Sequence, residues 1–176
     1  REGVATNGAA IFNEGILVAS NVTFVACSAQ GATGAAGAAG EVRFGYGQDG
    51  EDGQPGAAAA GGAIYNVGEA TLIGCSFDAN KAVGGDGGQG GDGGQGGWRN
   101  GAGGEGGDGA AAYGGAISSF GSLAITNCLF TANSAQAGDG GNVEVSGKQD
   151  LLFAGKVDTT APNGKTGNLL LDPDVI

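Results

Sequence analysis

One short motif recurs at a fixed interval. Gly8-Ala9-Ala10-Ile11, Gly61-Gly62-Ala63-Ile64 and Gly114-Gly115-Ala116-Ile117 begin 53 residues apart, and Phe24, Phe77 and Phe130 each follow their copy by the same 16 residues. The stretches from each Phe to the next motif are also equal in length, although they are mostly glycine. Equal spacing through such soft sequence predicts stacked, nearly identical structural units. A period of roughly 50 residues marks a solenoid, a propeller or an array.

Composition decides less than distribution. Glycine supplies 42 of the 176 residues and proline 3, a share that on its own suggests low complexity. The glycine, however, is dense in 31–62, 84–115 and 138–147, whereas Val, Ile, Leu and Phe gather between these tracts. The apolar stretches can bury surface; the glycine tracts alone cannot.

Shifting the chain by its period builds columns. Leu17, Ala70 and Leu123 align, then Ala19, Leu72 and Ile125, then Val22, Cys75 and Cys128, then the three Phe; Ile11, Ile64 and Ile117 make one more. Within a unit these positions recur mostly at spacing two, the strand period. The change to three at Asn21, Gly74 and Asn127 predicts a bend, because Asn and Gly tolerate tight turns. Gly15, Gly68 and Gly121 predict another corner. One such unit cannot cover its own apolar face, but units stacked at about 4.8 Å make a continuous core. A propeller needs four strands per blade, and the glycine tracts offer none. The expected fold is therefore all-β, a parallel β-helix (solenoid) of about three to four coils in a single domain. Its coils span 8–30, 61–83 and 114–137, with a partial coil at 167–176. Glycine-rich inserts fill 31–60 and 84–113, and 138–166 forms a cap or arm.

The motif pair Gly61–Ile64 with Phe77-Asp78-Ala79-Asn80, and Gly114–Ile117 with Phe130-Thr131-Ala132-Asn133, resembles that of polymorphic outer-membrane and adhesin-like β-helix proteins. The first unit departs twice, with Ala9 for the second Gly and Cys27 for Asn. The resemblance implies a right-handed β-helix in a secreted or surface-displayed passenger, adhesin or coat component. The long glycine inserts lie outside the usual pattern.

Residues 84–98 read Gly-Gly-X repeatedly, and 31–40 read Gly-X-X. A strict triplet suits the three-residue turn of a polyproline II helix, whose bare glycine edge lets neighbours approach closely. Both inserts break their triplets midway, at Arg43-Phe44-Gly45-Tyr46 and at Trp98-Arg99-Asn100, positions that the 53-residue shift superposes. The inserts are expected to be two polyglycine-II-like hairpins leaving one corner, with disordered linkers as the alternative. Phe44, Tyr46 and Trp98 at the tips are candidate contact residues, since exposed aromatics mark contact surfaces; packing on neighbouring glycine helices is the other reading.

A net charge of −11 without histidine argues against nucleic acid, whose phosphates need clustered Lys and Arg. No 18-residue apolar run is present to span a bilayer. Met is absent, even at position 1, which reads as a processed or excised product and leaves a removed signal peptide open. The three cysteines make no metal cluster or disulfide framework; Cys75 and Cys128 should be neighbours, as buried thiols or as a bonded pair. Asp49, Glu51, Asp52, Asp86, Asp92, Glu105 and Asp108 occur within the triplets. They are read as solvated charge, with a weak calcium site as the other reading. No cofactor is expected, and no enzymatic activity, because an acid, a base and a cation are not aligned on adjacent coils.

A further step of 53 from Gly114 reaches Gly167-Asn168-Leu169-Leu170, which puts Leu170 in the Ile column of a half-written coil. Its Leu169, Leu170, Leu171 and Ile176 are candidate assembly residues. The expected function is that of an extracellular structural protein, a subunit of a surface filament or matrix built by head-to-tail self-stacking. The alternatives are a surface adhesin binding a glycan or protein, and an ice-binding protein.

Overall fold

The computed structural model describes residues 6–138 in full, together with the backbone of the strands Val4–Ala5, Val143–Lys148, Val157–Asp158 and Leu169–Asp174. It is all-β, with no helix among the described residues. Three sheets contain one strand from each repeat unit, paired in parallel. They comprise Ile11–Asn13, Ile64–Asn66 and Ile117–Ser119; Ile16–Ser20, Glu69–Ile73 and Ser122–Thr126; and Thr23–Val25, Ser76–Asp78 and Leu129–Thr131. Ile64 pairs with Ile11 and Ile117, Leu72 with Ala19 and Ile125, and Phe77 with Phe24 and Phe130. Two longer parallel stacks complete the arrangement. One runs through Val4–Ala5, Ser28–Gln30, Lys81–Val83, Ser134–Gln136 and Val157–Asp158; the other through Ala59–Ala60, Ala112–Tyr113, Val143–Lys148 and Leu169–Asp174. Parallel strands stacked in this way are consistent with a parallel β-solenoid.

Like residues stack because the register is one full repeat. The Phe77 ring lies between Phe24 and Phe130, with centroids 4.8 Å away on either side and planes within 9° and 4°. Phe77, Ile64, Leu72 and Cys75 are fully buried, and burying one such side chain contributes about 1.5–3 kcal/mol. The expected bend has a left-handed backbone in all three units, with φ of 55° at Asn21, 60° at Gly74 and 52° at Asn127. Gly68 and Gly121 sit against the carbonyls of Gly15 and Gly68 one unit below, where a Cβ would collide.

Two expectations are corrected. The Val22, Cys75 and Cys128 column is buried only at its centre. Val22 is 38% exposed and Cys128 half-buried, while Cys75 between them is covered. The 53-residue step also ends before Leu170. That residue pairs with Glu144 rather than Ile117, within the parallel pairing of Leu169–Asp174 to Val143–Lys148. The offset there is only 26 residues, as Val143 pairs with Leu169, and between Ala135 and Val157 it is 22. Once no glycine insert interrupts the unit, the chain returns to the same corner in half the length.

The inserts pair by another rule. Their arms lie in 31–41, 48–58, 84–95 and 101–111 and make no strand pairing; N–H groups at every third residue donate to neighbouring arms instead. Gly34, Gly37 and Gly40 donate to Asp86, Gln89 and Asp92, whereas Glu51, Gln54 and Ala57 donate to Ala38, Ala35 and Ala32. Gly85, Gly88 and Gly91 donate to Ala57, Gln54 and Glu51, and Gly104 and Gly107 to Gly91 and Gly88. The backbones touch so closely that a Cβ at Gly88 would run into the Ala35 carbonyl.

Candidate functional site

Three features gather the residues singled out above: the arm tips, the acidic triplet positions and the ends of the stack. At the tip, Val42–Arg43 pairs antiparallel with Tyr46–Gly47 around Phe44 and Gly45, whose φ values are 51° and 80°. Trp98 donates its N–H to the Gly45 carbonyl at 2.9 Å, and Tyr46 bridges Arg99, so the two tips superpose. The Tyr46 and Trp98 rings meet edge-on at 5.4 Å and 88°. Phe44 is 95% exposed and Trp98 77%. Beside them, Tyr46, Gly47, Gln48, Asp49 and Arg99 line an open hollow of about 340 Å³. The only charge pair at the tip among the described residues, Arg43 with Glu41 at 3.2 Å, is largely exposed and contributes little.

Two acids act on backbone. The Asp49 and Asp52 carboxylates accept the N–H groups of Ala102 and Glu105, each at 2.7 Å, tying one insert to the next. Among the described residues, no three His, Cys, Asp or Glu side chains converge as metal ligands. Cys27, Cys75 and Cys128 are free thiols, and the Cys75 N–H donates to Cys128 Sγ at 3.3 Å.

The buried polar groups serve the stack. Asn80 Nδ2 donates to Asn133 Oδ1 at 2.9 Å and to the Phe24 carbonyl at 3.1 Å, while its Oδ1 accepts the Cys27 N–H. A second ladder joins Asn13, Asn66 and Ser119. Asn13 Nδ2 donates to Asn66 Oδ1 at 2.6 Å, and Asn66 Nδ2 to Ser119 Oγ at 2.8 Å and to the Ser122 carbonyl. Sequence reasoning missed this ladder, although the signal was present: the three positions follow the Ile column by two residues at the repeat spacing. It also missed Phe12, Tyr65 and Phe120, which form an outward aromatic row with centroids 5.2 and 5.7 Å apart.

The two ends of the stack differ. Phe24 and Ala19 in the first unit are 7% exposed, but Phe130 and Ile125 in the third are 41% and 44% exposed. Leu169, Leu170 and Leu171 lie on a strand whose backbone pairs with Val143–Lys148; their side chains, and Ile176, lie outside the described residues. No protein-family model, curated protein or solved structure matches this chain.

Proposed function

We propose that this chain is a non-enzymatic structural protein of the cell exterior, whose copies stack head to tail into a surface filament or matrix. Its stacked sheets are read as a right-handed parallel β-helix of about three to four coils. Right-handed crossovers between parallel strands of one sheet predominate at about 98%. Its inserts are read as polyglycine-II-like hairpins, in keeping with their hydrogen bonds at every third residue. The likeness of its Gly-Gly-Ala-Ile and Phe-x-x-Asn motifs to adhesin-like passengers supports a surface location.

The observation that carries this reading is that the three sheets with one strand per unit end at both sides without a further strand among the described residues. Gly15 occupies the corner that requires glycine in the next two units, yet nothing lies within 4 Å of a Cβ built there. At the opposite end, the Phe and Leu/Ile columns finish on exposed Phe130 and Ile125. Stacking on another copy supplies the strand edges and apolar cover that these ends lack, and a head-to-tail contact propagates into a fibre. Electron microscopy and sedimentation of the intact chain should show filaments. Gly15→Val should fold with an unchanged circular dichroism spectrum yet fail to elongate, and so should a chain lacking Leu169–Ile176. The reading fails if the intact chain forms nothing larger than a pair, or if Gly15→Val elongates equally well.

A second reading, a glycan-binding adhesin, draws on the outward row of Phe12, Tyr65 and Phe120, since stacked exposed aromatics offer sugar rings a flat apolar face. Glycan-array binding that disappears in Phe12→Ala would favour it over the filament.

A further inference from the structure

The two faces of the glycine bundle are not equivalent. In the first insert, Gly34, Gly37, Gly50 and Gly53 donate their N–H groups to the second insert, at Asp86, Gln89, Ala102 and Glu105. One repeat later the same positions are Gly87, Gly90, Gly103 and Gly106. Their N–H groups have no acceptor among the described residues. The carbonyls of Gln48 and Glu51 accept from Gly94 and Gly91, and their counterparts one repeat later, at Gly101 and Gly104, accept from no described residue. The outer face of the second insert thus presents rows of both donors and acceptors.

Side chains mark the same face. Gly50 and Gly53 are pressed against the carbonyls of Gly91 and Gly88, where a Cβ would collide. Their counterparts Gly103 and Gly106 have room for a Cβ, the nearest atoms being 3.6 and 3.8 Å away. Among the described residues, nothing requires glycine there. A further layer in fact begins: Gly138 donates to the Ala110 carbonyl as Gly85 does to Ala57, and a Cβ on Gly138 would run into Gly85. Val143–Lys148 then returns to the Ala112–Tyr113 strand without a hairpin of the earlier length. The opposite face of the bundle is closed. Ala32, Ala35 and Ala38 stand where the second insert has Gly85, Gly88 and Gly91, glycines that contact the layer below with no room for a Cβ.

We propose that the outer face of the second insert binds the second insert, residues 84–111, of another copy of this chain. The first insert already spends its glycine face on the second insert, so of the faces left over only that of the second insert is bare glycine backbone. The first insert is barred by its alanine methyls. A surface that pairs with its own duplicate closes as a dimer, so this contact does not by itself propagate into a fibre. It rests on the hydrogen-bond map of the inserts, independently of end-on stacking.

The test uses Gly103→Val/Gly106→Val, because those positions have room in the single chain. Sedimentation should show the Gly15→Val chain as a dimer. Adding the two valines should halve its mass, or weaken the dimer by at least tenfold, while amides in 84–111 keep their exchange protection. Ala32→Gly/Ala35→Gly/Ala38→Gly in the Gly15→Val chain should open the second face and give species larger than two. A Gly15→Val chain that is monomeric throughout the micromolar range overturns the proposal, as does a dimer indifferent to both valines. Neither result bears on whether the intact chain grows end to end.

Discussion

The strand stacks and the glycine arms obey one 53-residue step, yet they are held by opposite means. In the stacks, register is fixed by side chains: Phe24, Phe77 and Phe130 lie face to face, and Asn80 bonds to Asn133. In the arms it is fixed by the lack of side chains, because Gly85, Gly88 and Gly91 let carbonyls approach where a Cβ would stand. A large side chain stabilises the first region and breaks the second. A fixed repeat therefore does not identify what enforces it, and the two regions should fail under opposite substitutions.

The largest effect belongs to the stacks. Phe77→Ala removes a ring with no exposed surface from between two others, and should cost about 3–5 kcal/mol in urea unfolding. Phe130→Ala should cost clearly less, since 41% of that residue is already exposed. Equal losses at the two positions would show that the third unit is covered in solution.

The converse experiment adds bulk to the arms. Gly88→Val drives two methyls toward the Ala35 carbonyl, an overpacking whose usual cost is about 1–3 kcal/mol. Hydrogen exchange should accelerate in 31–58 and 84–111 while Glu69–Ile73 and Ser76–Asp78 stay protected. Loss of protection in those strands as well would mean that the two regions fold as one unit.

Legibility in the sequence followed the same division. The Phe and Ile columns could be read because large apolar residues recur at the strand period, and the bend because Asn21, Gly74 and Asn127 are of types that favour a left-handed backbone. The aligned tips were legible because both inserts break their triplets at positions the 53-residue shift superposes. The Asn13, Asn66 and Ser119 ladder carried the same spacing but was overlooked, because its members differ in type and polar residues in short strands usually face water. Asp49 and Asp52 read as solvated charge because an acceptor's use depends on which N–H lies across from it, and only the packed arms place Ala102 and Glu105 there. The step to Leu170 misled because the repeat length includes the insert, and the last units have none.

The missed ladder gives an intermediate effect. Asn66 has no exposed surface and bonds to Asn13, Ser119 and Ser122. Asn66→Ala leaves the Asn13 amide and the Ser122 carbonyl short of a partner, a loss of about 1–3 kcal/mol. Asn66→Asp retains the acceptor for Asn13 but removes the donor. It should fall between Ala and the native residue at acidic pH, and below it where the carboxylate is charged. A negligible cost for Asn66→Ala in thermal unfolding would show that water takes over these bonds.

The smallest effect concerns a second bend that nothing in the residue types announced. Ala26, Ala79 and Ala132 hold φ of 52°, 53° and 53°, a region that costs an L-residue roughly 1–2 kcal/mol. All three are exposed, so their methyls add little packing in return. What holds Ala79 and Ala132 there is the residue that follows. Asn80 and Asn133 turn inward directly after the bend and bond to the Phe24 and Phe77 carbonyls, which fixes the backbone whatever its local preference. Glycine relieves the strain but enlarges the unfolded ensemble, at about 0.4–1 kcal/mol. Ala79→Gly should therefore stabilise by at most about 1 kcal/mol, a rise of a few degrees in Tm for a chain of this size. Ala79→Val should destabilise instead, because a β-branched residue fits a left-handed backbone worst. If Ala79→Gly lowers Tm, the left-handed bend is not the conformation in solution, and the inward course of Asn80 needs another cause.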